Sequence, residues 1–463
     1  MVKQKQSNKN RSLVHAFLFI GLFAAISYCY FSSLRSHRFQ IDEWSFIRKS
    51  YYLDLYLNRN FSDPRWYSRD DPAQPKVGAY IYGIMLRLAG MRDIEKSLHE
   101  TGFTRTTQEG KRWWDDLLYR RIKVPRSELV SRPACFFRRS TFTQTQSDFP
   151  QELLPHLKII WMGRRTSLLF TLGAVILLFC FARVMKSFLL GFLSALLVAL
   201  NPLMFSSGSL AMTDSMQQFF FNINLLLTWF FLKAVGKQNS KRALALSLFL
   251  GVNAALSLGV KVSGVLILPF QTLIFLSLFM LQKKRNKPRG ILLRSGGLLI
   301  ASFLTVFVAL HPYLYRDTAR HFLAIFTNRL EISERDQRLL PIWAVQTRQK
   351  AIEFILGRNL LPQGTYTNFP IGKVPIDGLL FLAGLWFVRK KAIYEFSRRK
   401  MLSSELILLL WAAVAIGGLI LYLQNDWPRY YLPAEVAITL FQAYAIAELS
   451  RQAFEIISHK GVR

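Results

Sequence analysis

Apolar stretches separated by short polar breaks run from one end of the chain to the other, and their length sets the first expectation. A helix needs about 20 apolar residues to cross the hydrocarbon core of a bilayer. Stretches near that length lie at 15–34, 165–183, 187–206, 214–234, 243–259, 262–282, 290–311, 376–389, 403–423 and 430–449. The pattern predicts an all-α polytopic membrane protein with about ten transmembrane helices. Two long connections interrupt the series, 35–161 and 312–375. Within the first, 73–88 places apolar and aromatic residues at helical spacing and ends in Arg87, the pattern of an interfacial helix. No repeat, glycine-serine linker or low-complexity tract divides the chain, so 1–463 is read as a single membrane domain with two external loops.

Charge orients this array. The short loops alternate between basic and nearly uncharged: Arg183 and Lys186, then 233–242, then 282–289, then 389–400, then 451–463 carry the Lys and Arg. Cations near span ends stay on the cytoplasmic side, which predicts cytoplasmic N- and C-termini and puts 35–161 and 312–375 on the periplasmic or external face of a cell inner or plasma membrane. The first span follows Lys3, Lys5, Lys9 and Arg11 and no small-residue cleavage site succeeds it, so it reads as a retained anchor. A net charge of +32, from 60 Lys+Arg against 28 Asp+Glu, then reflects topology and anionic membrane lipids, not nucleic acid. Three cysteines, Cys29, Cys135 and Cys180, lack metal-ligand spacing and suggest no disulfide framework.

Ionisable groups at membrane depth are costly and mark pathways, ligands or reaction centres. On this topology most of them share the external side. Asp42-Glu43 follows the first span, Asp70-Asp71 precedes the interfacial helix, and Asp214 opens a span. Lys261 sits at a hairpin, His311 at an outer span end, and Arg429-Tyr430 at the start of the last span. Each has a plainer reading: a solvated acidic pair, a helix cap at Asp214, cations snorkelling to headgroups at Lys261 and Arg429, a helix-end histidine. Together they supply carboxylates that accept a proton and cations that stabilise a phosphate leaving group. Aromatic residues of the first loop, Trp44, Trp66, Tyr67, Trp113 and Trp114, offer faces for a sugar ring or lipid chain.

The order of these motifs resembles that of the polyprenyl- or dolichyl-phosphate-sugar glycosyltransferases of the GT-C fold, the group of protein O-mannosyltransferases and lipid A aminoarabinose transferases. Ile41-Asp42-Glu43-Trp44 is similar to the family's Asp-Glu motif, and Arg164-Arg165-Thr166-Ser167 to its Arg-x-x-Ser. Asn201-Pro202, Leu210 to Ser215, Lys261-Val262-Ser263-Gly264 and Arg429-Tyr430-Tyr431-Leu432-Pro433 follow in the family's order. Departures are Gln74-Pro75-Lys76-Val77, where the family often has a His/Lys-Pro-Pro-Leu run, and 91–160, which has no family counterpart.

The resemblance implies a membrane enzyme of the cell envelope that inverts the anomeric centre as it moves a sugar from a polyprenyl-phosphate donor to a glycan, lipid or protein acceptor. It implies Asp42 as base, Glu43 as its partner, and Lys261, Arg429 and Lys76 as phosphate contacts, with Asp214, Asp71, His311 and Tyr430 in support. Two carboxylates beside a sugar phosphate can hold a divalent metal, but no dense Asp/His ligand set is visible, so no metal ligands are assigned. A transporter or lipid flippase also collects charges, yet near the midplane on broken helices; a scaffold would leave Asp42 and Lys261 replaceable.

Overall fold

The structure, a computed structural model, describes residues 2–34, 41–67, 75–100, 157–284, 290–362, 364–398 and 402–460. It is helical, and among the described residues the only strand-like pairing is a single bridge between Ala344 and Asn425. The first helix, α1 (Val2–Ser33), is followed by the short α2 (Ile41–Arg48) and α3 (Tyr52–Leu57), then α4 (Val77–Leu88) and α5 (Ile94–Glu100). The membrane bundle continues with α6 (Leu157–Met185), α7 (Phe188–Leu200), α8 (Pro202–Ser209), α9 (Thr213–Gly236), α10 (Ser240–Val260), α11 (Ile267–Lys284) and α12 (Gly290–Ala309). Helices α13 (Thr318–Leu339) and α14 (Arg348–Asn359) precede α15 (Ile376–Arg398), α16 (Ser404–Tyr422) and α17 (Leu432–Lys460).

Among the described residues, eight helical stretches are long and apolar enough to cross a membrane, and nine if the bent pair α7 and α8 counts as one crossing. The protein is therefore an integral multi-pass membrane protein. The span expected at 187–206 is bent by 65°. The cause is local: Pro202 has no amide hydrogen to continue α7, and the Asn201 side chain caps the new helix by accepting from Leu203 N at 2.9 Å and Met204 N at 3.3 Å. The segment expected at 376–389 is helical, but Arg389, Lys390 and Lys391 end its apolar run. Cys29 is disulfide-bonded, which the spacing of the cysteines did not predict.

Packing around α4 positions the site. Helix α4 is clasped by protein: Val77, Gly78, Ala79, Tyr80, Tyr82, Gly83 and Leu86 are buried. Gly78 permits this, because a Cβ there would stand 2.7 Å from Thr213 Cγ2. Tyr52, Trp66, Tyr80, Tyr82, Ile94 and Ile160 belong to a second, smaller core that fastens the segment between α1 and α6 onto α6 and α9. Trp66 is enclosed there, its indole donating to Asn60 O at 2.9 Å, so it presents no face to a ligand. Trp44, as a side chain, and Trp113 and Trp114 lie outside the described residues, as do Asp70, Asp71 and nearly all of 94–150 beyond Glu100.

Candidate active site

A fully buried ion pair fixes the frame. Arg164, in the first turns of α6, donates to both carboxylate oxygens of Glu43, Nε to Oε1 at 2.8 Å and Nη2 to Oε2 at 2.9 Å, and neither side chain has any exposure. Arg164 Nη1 also reaches Leu34 O at 2.6 Å, and Glu43 Oε1 accepts from Ala211 N at 2.9 Å. One pair thus joins the end of α1, α2, α6 and the extended segment that leads into α9. Ser167 extends the joint by bonding Met212 N at 3.1 Å and Met212 O at 3.0 Å.

This frame sets the register of α2. Ser45 and Phe46 of α2, and Lys49 in the 3-10 turn Lys49–Tyr51 that follows it, line a cavity of about 300 Å³. Position 42 precedes Ser45 and Phe46 by about one helical turn, and the Asp42 side chain lies outside the described residues.

The cavity's lining is of two chemical kinds. Lys49, Lys76, Lys261, Arg329 and Arg429 contribute cations, with no Asp or Glu among the described lining residues. Val265, Leu266, Leu330, Ala415, Gly418 and Leu419 contribute apolar wall. Lys261 leaves the helical path after α10 and its ammonium pairs with Asp214, which is buried in the first turn of α9. A carboxylate there also suits the positive end of the helix. Around the Tyr430 ring stand Lys261 at 5.5 Å, Arg429 at 5.6 Å and Arg329 at 6.0 Å, and Arg329 donates to the Tyr430 hydroxyl. Arg429 also lies 4.4 Å from the Trp427 ring, and the Lys76 ammonium 4.1 Å from Tyr52. Gln217 and Ser263, hydrogen-bonded at 2.8 Å, provide a neutral polar floor. A group of cations of this kind attracts an anion.

His311 supports from behind. Its Nδ1 bonds Phe307 O at 2.7 Å, its Nε2 accepts from Lys76 N at 3.4 Å, and its ring stacks on Phe307 at 4.2 Å. Those partners assign a neutral, Nδ1-protonated ring. Burial, with Lys76 adding to it, lowers the imidazole pKa to about 4. Because the folded value lies below the unfolded one, this contribution to stability is complete above about 6.5 and is lost as pH falls toward 4. Thermal unfolding in detergent from pH 8 to 4 should show that acid loss in the wild type, and less of it in His311→Gln.

The structure therefore brings Lys76, Lys261, Arg429 and Tyr430 to one cavity, with Asp214 and His311 behind two of the lysines. Glu43 stands apart in the Arg164 pair, and Asp71 lies outside the described residues. Lys49 and Arg329 are additional cavity cations that sequence reasoning missed. Lys49 carried a signal, seven residues past Asp42; Arg329 is one of several basic residues in its loop and carried none.

The same fold occurs in solved structures. The archaeal oligosaccharyltransferase AglB from Archaeoglobus fulgidus, in complex with an inhibitory peptide and a dolichol-phosphate, aligns over 98% of this chain and 52% of its own, with a TM-score of 0.51 and 13% identity. The apo form of the Archaeoglobus fulgidus oligosaccharyltransferase aligns over 96% of this chain and 52% of its own, with a TM-score of 0.50 and 12% identity. The chain spans about half the length of both. It thus has the GT-C fold of membrane glycosyltransferases. Within that fold, residues 143–323 match the family described as dolichyl-phosphate-mannose-protein mannosyltransferase. The matched stretch holds Arg164, Asp214, Lys261 and His311. No curated protein sequence matches the chain.

Proposed function

We propose that the protein is a membrane glycosyltransferase that moves a sugar from a polyprenyl-phosphate donor to an acceptor on the non-cytoplasmic face, inverting the anomeric centre, with Asp42 as general base. The observation that carries this reading is one cavity whose lining combines five cations with an apolar wall and includes Ser45 and Phe46 of α2, the helix in which Asp42 stands. A polyprenyl phosphate has that same division of charge and hydrocarbon. In the reaction an acceptor oxygen bonds to the anomeric carbon, the bond from that carbon to the phosphate oxygen breaks, and Asp42 takes the acceptor's proton. The departing phosphate gains negative charge, which Lys76, Lys261 and Arg429 offset, joined by Lys49 and Arg329. Asp214 holds Lys261, and Glu43 serves as the anchor of α2. The acceptor is a glycan, lipid or protein. The basic short loops support the external placement of the site. A transporter is less well supported, since the charges collect at one end of the bundle and not at its midplane.

The test is transfer from a labelled polyprenyl-phosphate sugar by purified protein, with and without chelator, and mass analysis of the product. Absence of transfer to any glycan, lipid or protein acceptor counts against the reading. A variant probes the apolar wall. Gly418 packs so closely that a Cβ would stand 2.5 Å from Leu266 Cδ2. Gly418→Leu should raise KM about tenfold for a long-chain donor and leave a short-chain analogue unaffected, because only the long tail needs that space. Equal effects on both donors would place the tail elsewhere.

A further inference from the structure

Two of the cavity's functional groups stand on a short irregular strap. Arg429 and Tyr430 belong to the 3-10 turn Pro428–Tyr431, which follows the non-helical segment 423–427 after α16 and leads directly into α17. The strap is held by the segment between α12 and α15. Trp343 O accepts from Asp426 N at 2.8 Å, and Gln424 O accepts from Val345 N at 2.8 Å and from Gln337 Nε2 at 2.7 Å. The firmest hold is on a side chain: Arg358 of α14 donates Nε to Asp426 Oδ1 at 2.9 Å and Nη2 to Asp426 Oδ2 at 2.6 Å. Tyr431 donates its hydroxyl to the same Oδ1 at 2.7 Å. Asp426 is fully buried and Arg358 nearly so.

This arrangement divides the turn. Tyr431 is turned back onto Asp426 and packs against Tyr366, with ring centres 5.3 Å apart, while Arg429 and Tyr430 line the cavity. Arg358 itself is not a lining residue, yet its bidentate fork fixes the strap that carries two that are. Tyr366 N donates to Arg358 O at 3.0 Å, so α14 is tied to the Tyr366 side of the clamp as well.

We propose that Arg358 is a positioning residue for the donor phosphate, holding the Pro428–Tyr431 turn through Asp426 and Tyr431 so that Arg429 and Tyr430 meet the anion. This rests on the donor reading given above. Displacing a charged contact by an ångström weakens it sharply, so the clamp acts on donor affinity through Arg429 and Tyr430.

The experiment measures binding of polyprenyl phosphate, which needs no chemistry, and KM and kcat for transfer, in Arg358→Lys, Arg429→Ala and the double variant. Lysine keeps the charge and loses the fork. Arg358→Lys should weaken binding and raise donor KM about tenfold with kcat at saturating donor within about twofold, the pattern of lost ground-state positioning. In the Arg429→Ala background the same change should add about threefold or less, because one of the two groups it positions is gone and only Tyr430 is left to displace. Tyr431→Phe, which removes one hydrogen bond and keeps the ring, should give a smaller change of the same kind and stands in if Arg358→Lys does not fold. Unchanged binding in these variants, or losses that multiply in the double variant, overturns the proposal. Wild-type protein that binds no polyprenyl phosphate overturns the donor reading, and this inference with it, whereas wild type that binds and transfers leaves the clamp alone at issue.

Discussion

Asp42→Asn should abolish transfer, lowering the single-turnover rate by about a thousandfold, within the range over which a general base contributes. Asparagine preserves size and hydrogen bonding but does not accept a proton at neutral pH. The frame of α2 does not depend on it: Glu43, Arg164, Leu34 O and Ala211 N form the joint. The variant should therefore insert, unfold at the wild-type temperature within a few degrees, and bind polyprenyl phosphate with nearly unchanged affinity. Single-turnover transfer beside lipid binding separates the two functions. Near-normal transfer by Asp42→Asn removes Asp42 from the mechanism; loss of binding together with transfer makes it a donor contact instead.

The contrast between Asp42 and Glu43 shows where the sequence stops informing. Two adjacent acids have the same composition and the same distance from α1, but neighbours on a helix point about 100° apart, so packing assigns them different surroundings. What turned Glu43 inward is Arg164, 121 residues away. The motif around Arg164 was legible and its partner was not. The spans were legible because a bilayer demands long apolar runs, a local property. The bend at Asn201-Pro202 was written in the sequence too, as a proline preceded by a capping side chain, but hydropathy averaged over the stretch hides it. Lys76, Lys261 and Arg429 were found through motif order, and the cavity adds that they share one space. Arg329 and Arg358 stayed indistinguishable from other basic residues of the 312–375 connection. Their roles depend on Tyr430 and Asp426, reached only through tertiary contacts.

Arg164→Leu should largely prevent accumulation of folded protein. The substitution leaves Glu43 without its cation at a site with no solvent exposure, and breaking a buried pair from one side costs about 3–5 kcal/mol. That is a large share of the net stability of about 5–15 kcal/mol typical of folded domains. Leu34 O loses its donor at the same time, so the end of α1 is released from α6. Measured as monodisperse yield in detergent and as unfolding temperature, the single variant should fall well below wild type. Removing both charges is a different perturbation. Glu43→Leu with Arg164→Leu replaces two desolvated ions by hydrocarbon and leaves only the neutral groups Ala211 N and Leu34 O unsatisfied, so the double variant should recover much of the yield that the single variant loses. Recovery of folding should not bring full activity, because the polar joint that fixes the register of α2 would be gone. A single variant as stable and active as wild type would show that the pair is not the frame. A double variant restored in both respects would show that shape alone, without the ion pair, sets the geometry on which Asp42 depends.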